Sequence, residues 1–421
     1  MVYIDSMNTV RVYRLQPPPK LFARLQAAQM EAAQVWNLCC TLHQEARTSH
    51  AVWPGRDALQ KATKGHFALH SQSVQMVAHA FLANVETTRQ LKPLHPKTRY
   101  PYKEKRFYPV HWPAQAVSRE AKRVILPMGR GRPSLVLPIA LPENSSSCTL
   151  VWNHGFELHV CVAVPQAENA PGNVHATVDL GEIHLAAVTT NTSQGLIVSG
   201  RGIRSLKRHR NQQLGRVAKK QARCQKYSRR WRKLQRAKGQ MCTRTQRRIR
   251  DQRHKATRKV IDFCSEHQVG WLYIGNPHGV RHKESGRHHN QRMSLWEYGK
   301  DMAYLTQKSQ QAHIMSFTGS ERGTSSQCPV CGHRQKPKGR NWVCRRCGFT
   351  GHRDLVGSTN MHQLAYGEAV MSPRSITYLR PGPSRRSRRA DTPQGCLGES
   401  NEQPRIMDTV FAETGPSDDV A

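Results

Sequence analysis

The sequence predicts a multidomain protein of mixed α+β and α/β class. Three observations carry that reading. Short strand-like stretches at 7–15 and 106–165 flank a helical block. A run of buried strands and long helices begins near 174. Two Cys-x2-Cys pairs, Cys328/Cys331 and Cys344/Cys347, then stand twelve residues apart. At 421 residues the chain can build two or three domains with real cores.

The balance of 65 Lys/Arg against 28 Asp/Glu gives a net charge of +37 and a pI near 10.4. Polyphosphate partners explain such an excess most simply, because each neutralised phosphate releases a counterion. The rival explanation is a solvated basic surface. No apolar run reaches the roughly 18 residues that span a bilayer, and no secretory signal opens the chain. Cysteines outside the two pairs, such as Cys39, Cys40, Cys161 and Cys264, sit among apolar residues, as reduced buried thiols do. The expectation is an intracellular, cytoplasmic protein that associates with the nucleoid when bound to DNA.

Met7–Leu15 alternates like an edge strand and ends at Pro17-Pro18-Pro19, leaving Met1–Ser6 as an extension or a misplaced start. Residues 20–48, containing Trp36-Asn37, and 73–92 carry apolar positions at helical spacing, and a Tyr/Lys/Pro-rich linker follows His95-Pro96. From 106 to 165 the pattern changes to strands, including Ser134–Leu137, Cys148–Trp152 and Leu158–Val164, with turns at Gly129–Gly131 and Asn153–Gly155. Together with the first strand these are expected to close a small barrel, on which Lys103, Lys105, Arg106, Arg130 and Arg132 either meet phosphates or form a solvated face.

His175–Gly181 (HATVDLG) reads as a buried strand with Asp179 near its middle, a Gly turn and a returning strand at His184–Val188. A buried carboxylate without a partner costs several kcal/mol, so Asp179 must be paired, capped or bound to metal. Arg201–Lys259 holds 24 Lys/Arg and one acidic residue, Asp251. Apolar stripes at Tyr227, Trp231 and Leu234 and at Ile249, Ala256, Val260 and Phe263, with Gly239 between them, predict two helices in a hairpin that breaks at Gly239. Like charges on such helices need a polyanion to quench them; a flexible basic tail is the alternative. Val269–Ile274 is a buried strand ending at Gly275-Asn276-Pro277. A helix over about 293–311 and a strand over His313–Thr318 lead to Glu321.

Each Cys-x2-Cys knuckle offers two thiolates, and four thiolates close a tetrahedral zinc shell; disulfides or free thiols are the alternative. Lys336–Gly339 suits an exposed turn and Trp342-Val343 a return strand. Seven residues after Cys347 comes Asp354, in GHRDL. Thr324-Ser325, the two knuckles, Arg353-Asp354 and Asn360 resemble the C-terminal signature of the TnpB (OrfB) proteins of insertion sequences, relatives of type V CRISPR effectors and Fanzor proteins. The family phrase RDxNAAxN reads RDLVGSTN here, with Val356 in place of the first asparagine. The resemblance covers roughly residues 7–367 and is loose in the N-terminal third.

That resemblance implies an RNase H-like (RuvC) nuclease domain over 174–327 and 348–367, with the basic hairpin at 201–268 and a zinc ribbon at 328–347. It further implies a wedge, or oligonucleotide-binding-like, β domain from 1–18 and 106–168 and a helical recognition lobe at 19–105. The remainder, 368–421, is Pro/Ser/Arg-rich and then acidic, and reads as a disordered tail. Asp179, in a phrase like IDLG, and Asp354 would be catalytic carboxylates. The family's usual second glutamate falls at Gly275. Either the enzyme is dead, or Glu321 supplies the carboxylate from the neighbouring strand, since Glu321–Ser325 resembles the E-x-x-T-S phrase of relatives with a relocated glutamate. A surface or loop-capping role beside Arg322 is the other reading of Glu321; Glu297, Glu284 and Glu182 are weaker substitutes.

The implied activity is Mg-dependent, RNA-guided DNA endonucleolysis by a monomer carrying guide RNA from the element's own end. It would use two Mg²⁺ ions on Asp179, Glu321 and Asp354 at a double-stranded target beside a short flanking motif, with Arg353 contacting phosphate or orienting Asp354. A nuclease-inactive guided DNA-binding regulator and an unguided zinc-ribbon nucleic-acid binder are the alternatives, and strict transposase activity is disfavoured.

Overall fold

The computed structural model describes residues 7–164, 167–280, 286–336, 339–373 and 375–382; the Met1–Ser6 extension, Glu284, Pro337-Lys338 and the tail from 383 lie outside them. Strand β1 (Met7–Arg14) stops at the proline run, and Pro19 opens helix α1 (Pro19–Thr48), where a missing N–H costs nothing. A short helix α2 (Arg56–Thr63) that the sequence did not announce precedes α3 (Ser71–Leu91).

Six short strands follow: β2 (Val110–Trp112), β3 (Ser118–Glu120), β4 (Arg123–Leu126), β5 (Leu135–Leu137), β6 (Ser145–Trp152) and β7 (Phe156–Val164). They do not close one hydrogen-bonded barrel with β1. They divide into a four-stranded sheet, β1-β7-β6-β2, and a three-stranded sheet, β3-β4-β5. Proline is the physical reason: Pro113, Pro127, Pro133 and Pro138 flank β2, β4 and β5 and deny the ladder its donors. The helices and both sheets share one core, in which Leu25, Trp36, Phe81, Trp112, Leu126 and Leu158 are buried. Two of the expected phosphate contacts are already engaged within the fold. Arg132 pairs with Glu31 at 2.6 Å, and the Lys105 ammonium lies 3.2 Å from the Trp36 ring centroid.

The second half is built on a six-stranded sheet. Its strands are β8 (Val174–Leu180), β9 (His184–Thr190), β10 (Gln194–Ser199), β11 (Val269–Asn276), β12 (Met315–Ser320) and β15 (Ser375–Leu379), in the order β12-β11-β8-β9-β10-β15. The meander β8-β9-β10 is antiparallel, while β11 and β12 join β8 in parallel. This is the RNase H-like arrangement that the resemblance implies. Strand β15 corrects the expected tail. SITYL alternates β-branched and aromatic residues well enough to pair in parallel along β10 and to pack Ile376 against Leu355, Ala187 and Ile197.

Between β10 and β11 stand α4 (Arg201–Ala222) and α5 (Arg229–Glu266), the expected basic hairpin with a different break. The chain turns at 223–228, where Tyr227 adopts a φ of 68° and the Ser228 hydroxyl accepts the Trp231 N–H. Gly239 lies inside α5, because one helical glycine costs only about 1 kcal/mol. It is small because the His154 ring occupies the space of a side chain there. Nearby, Thr243 bonds Asn153 and Arg247 pairs with Glu157, fastening α5 to the β6–β7 turn.

The predicted single helix over 293–311 is two, α6 (Arg287–Leu295) and α7 (Tyr298–Gln311), broken where Trp296 and Glu297 leave helical geometry. Buried Arg253 of α5 pairs with Asp301 of α7 and with Glu297, and Lys308 of α7 bonds Thr257 of α5. The ribbon strands β13 (Asn341–Val343) and β14 (Thr350–His352) lead directly into α8 (Arg353–Tyr366). No described helix is long and apolar enough to cross a membrane.

Removing the chain beyond Gly382 is expected to leave the unfolding midpoint unchanged. Removing it beyond Pro373 takes away β15, bares the β10 edge and should lower the midpoint by roughly 2 °C or more, as thermal unfolding of the two truncations would measure.

Candidate active site and metal centre

Asp179 is one residue from the end of β8, with Val178 beside Ile274 of the parallel neighbour β11. The next step along β11 is Gly275, which pairs with Gly319 of β12. Two residues on, Glu321 leaves β12 and turns back over β11. A Cβ built on Gly275 would lie 2.7 Å from Glu321 Oε2. The Glu321 carboxylate therefore fills the space that a residue-275 side chain would occupy.

Several contacts fix that turn. Tyr273 donates its hydroxyl hydrogen to the Ser320 carbonyl at 2.9 Å, and Gly319 is bare because the Tyr273 ring fills its side-chain space. Thr324 closes on the Glu321 carbonyl through its hydroxyl (2.8 Å) and its N–H (3.3 Å), with Gly323 at a φ of +86° between them. Asn360 of α8 donates to the carbonyls of Thr324 and Gln327, both at 2.7 Å. The E-x-x-T spacing and the terminal asparagine of RDLVGSTN thus act together: one forms the loop carrying Glu321, and the other ties that loop to the helix carrying Asp354.

Helix α8 is seated on the sheet by polar ties. Thr177 donates to the Ser358 carbonyl (2.6 Å), Tyr366 donates to the Ala176 carbonyl (3.0 Å), and His362 Nε2 bonds the Thr189 carbonyl (3.0 Å). Gly357 lets the helix approach, since Asp179 Oδ2 occupies the space where a Cβ would stand. In the first turn of α8, Asp354 accepts from His184 Nδ1 at 2.7 Å and from Arg340 at 2.8 and 3.1 Å. The Arg353 N–H bonds the Arg340 carbonyl, holding the ribbon's arginine beside the carboxylate.

Burial, and then the charges of Glu321 and Asp354, push the Asp179 carboxyl well above its usual range; Arg353 opposes them. Burial raises Glu321 to about 7. Burial also acts against ionisation of Asp354, but the His184 hydrogen bond and the Arg340 charge outweigh it and hold Asp354 below its ordinary value. Glu321 Oε2 is buried with no hydrogen-bond partner among the described residues. Mutually repelling carboxylates and an orphaned carboxylate oxygen fit a site for divalent cations. As a set the three are not gathered within 4.8 Å; among the described residues, ligand sets that tight are the four cysteines and His184, His352 and Asp354.

The weaker substitutes are used elsewhere. Glu182 pairs with Arg204 (3.6 Å) and Arg292 (4.0 Å) beside a cavity of about 550 Å³ at the hairpin base. Glu297 is held by Lys300, Arg253 and Lys207, and Glu284 lies outside the described residues. Arg322 is exposed and forms no ion pair with Glu321 among the described residues. Sequence reasoning missed His184, Arg340, His352 and Tyr273. Their only signal was closeness in sequence to residues already singled out.

The four cysteines form the second centre. Sγ separations of 3.7 Å (Cys328–Cys347) and 3.6 Å (Cys331–Cys344) match the roughly 3.8 Å that a tetrahedral zinc with 2.3 Å bonds sets between sulfurs. Trp342 and Val356 are buried against Cys328 and Cys344. Val356, which departs from the family phrase, is therefore an apolar contact between ribbon and helix.

A family model for OrfB_IS605, described as a probable transposase, matches residues 159–281, and one for the Cas12f1-like TNB domain matches 298–361. The fold is similar to that of the Cas12f1 chain in a Cas12f1-sgRNA-target DNA complex, with 14% identity, coverage of 82% of this chain and 83% of that one, and a TM-score of 0.58. It is also similar to the mini-RNA-guided endonuclease CRISPR-Cas_phi3, with 10% identity, coverage of 87% and 94%, and a TM-score of 0.50. No curated protein matches the sequence.

Gly275→Ala is expected to destabilise the protein by about 1–3 kcal/mol through overpacking. In a Glu321→Ala background the cost should shrink by at least about 0.5 kcal/mol, measured as a double-mutant cycle in denaturant unfolding. Because burial raises the Glu321 pKa, its contribution to stability is fully present below pH 4.5 and is lost as pH rises through about 7. In Mg-free buffer that slope should be shallower in Glu321→Gln than in wild type, as pH-dependent unfolding would record.

Proposed function

Starting from a chain that is a TnpB-like relative of the type V effectors, we propose that it is an RNA-guided DNA endonuclease. The observation that carries this reading is the Glu321 carboxylate in the side-chain space of Gly275, which restores a third acidic group beside Asp179 on the RNase H-like sheet. Similarity to the protein of an sgRNA–target DNA complex supports RNA and DNA as partners, and the charge of +37 supports both.

Asp179, Glu321 and Asp354 would hold two Mg²⁺ ions. When bound, such a pair activates a water for in-line attack on a phosphodiester and stabilises the leaving 3′ oxygen. The protein's own work is to keep the carboxylates apart on separate elements and to leave Glu321 Oε2 without a hydrogen-bond partner among the described residues. It also sets cationic groups around the site, with Arg353 beside Asp354 and placed to meet a phosphate. The basic hairpin would lie along nucleic-acid backbones, leaving sequence choice to guide pairing and to a short flanking motif read in the duplex. A zinc ion on the four cysteines would fix the ribbon, and with it Arg340, over the site. The inactive-regulator reading rests on Gly275 alone, and the position of Glu321 argues against it.

The test is to sequence the RNA that copurifies with the chain and to assay Mg²⁺-dependent cutting of matched duplex DNA. Wild type should cut. Glu321→Gln should lose roughly 100-fold or more of the rate while binding guide and target as before. Equal cutting by both proteins would remove Glu321 from the site, and no cutting by wild type would favour the regulator.

A further inference from the structure

Asp354 faces more than the other two carboxylates. His184 opens β9, and His352 is the N-cap of α8, accepting the Asp354 N–H through Nδ1 at 3.3 Å. The two imidazole rings stand 5.1 Å apart at 52°, and one ligand atom from each, with one Asp354 oxygen, lie within 4.8 Å of one another. Neither histidine takes part in the chemistry proposed above, yet both are drawn to this carboxylate from different elements. Tyr378 of β15 packs against the His352 ring.

We propose that His184, His352 and Asp354 form a second transition-metal site, which takes a zinc-class divalent ion and competes with Mg²⁺ for Asp354. The ligand chemistry makes the choice. Imidazole nitrogen suits zinc and its neighbours in the first transition row, whereas Mg²⁺ prefers oxygen ligands alone. A zinc ion with bonds of about 2.0–2.1 Å places neighbouring ligand atoms roughly 3.3 Å apart. The 2.7 Å spacing of His184 Nδ1 and Asp354 Oδ2 and the 4.8 Å limit on the set bracket that value. Two imidazoles and one carboxylate leave a fourth position for water. On binding, the proton between His184 Nδ1 and Asp354 leaves to solvent and the ion takes its place, as metal binding to imidazole requires. Arg340 must withdraw from Asp354, and it has room to do so: its side chain is 39% exposed, against 8% for His184.

The consequence for cutting rests on the nuclease reading: with Asp354 drawn to zinc, the Mg²⁺ pair loses a ligand and cleavage stops. The metal site itself does not depend on that reading.

The experiment counts zinc bound to the full chain after equilibration with excess zinc and desalting. Wild type should hold two ions per chain, one in the ribbon and one here; His352→Gln and, separately, His184→Gln should hold one. Loading with Co²⁺ distinguishes the sites, because only the ribbon gives thiolate-to-cobalt charge transfer, and the weaker d–d bands of the second site should vanish in both variants. Circular dichroism confirms that the variants fold; should buried His184 not tolerate glutamine, His352→Gln carries the test. A single zinc in wild type, or a second zinc that survives in the folded variants, overturns the proposal. In the cutting assay, zinc should suppress the wild-type rate tenfold more than that of His352→Gln, each relative to its own rate without zinc, and equal suppression would overturn the competition. Two bound zinc ions in a chain that never cuts would sink the nuclease reading and leave the metal site standing.

Discussion

The close seating of α8 on the central sheet is the contact on which the candidate site depends. Three hydrogen bonds, from Thr177 to Ser358, from Tyr366 to Ala176 and between His362 and Thr189, cross the helix–sheet boundary where apolar contacts alone would allow sliding. Buried hydrogen bonds of this kind specify a register because each misplacement leaves a donor unpaired. Gly357 then lets Asp179 approach the helix, while Asn360 reaches forward to the loop that bears Glu321. One helix thereby sets the position of one acidic group and restrains the surroundings of the other two.

Charge is organised at two scales. The hairpin carries most of its Lys and Arg outward, yet its base is neutralised internally through Arg253, Lys207, Glu297 and Asp301. A helix pair so repulsive needs such a buried anchor to leave the sheet at a fixed place. Near the carboxylates the balance is reversed: Asp179 and Glu321 are destabilised as anions, while Asp354 is kept ionised by His184 and Arg340. The ribbon, through Arg340, therefore reaches directly into the electrostatics of the sheet it is attached to.

Features whose chemistry constrains spacing were legible in the sequence. Two Cys-x2-Cys pairs announce the four-cysteine cluster that the structure gathers, and the strand bearing Asp179 announces itself because an acid amid apolar residues needs a reason. That Glu321 reaches the end of β11 was legible too, since parallel neighbours in register put the ends of β11 and β12 side by side. What escaped depends on contacts distant in the chain. Gly239 reads as a hairpin break until His154 is seen filling its side-chain space. SITYL reads as part of a polar tail until the bare edge of β10 is known to need a partner. The seven N-terminal strands read as one barrel because alternation reports a strand's two faces and says nothing of which neighbour it bonds. His184 carries no local mark beyond its closeness to Asp179; its hydrogen-bond partner is Asp354, 170 residues away.

The empty place at Gly275 has a wider consequence. A comparison that asks which letter stands at that column will find nothing acidic and will count this chain among the disarmed. One that asks what occupies the volume above the glycine will find a carboxylate arriving from next door. In a parallel sheet a side chain can enter a neighbouring strand's space from the next strand along, so what stands at a place in such a fold is read from location and not from one column of letters.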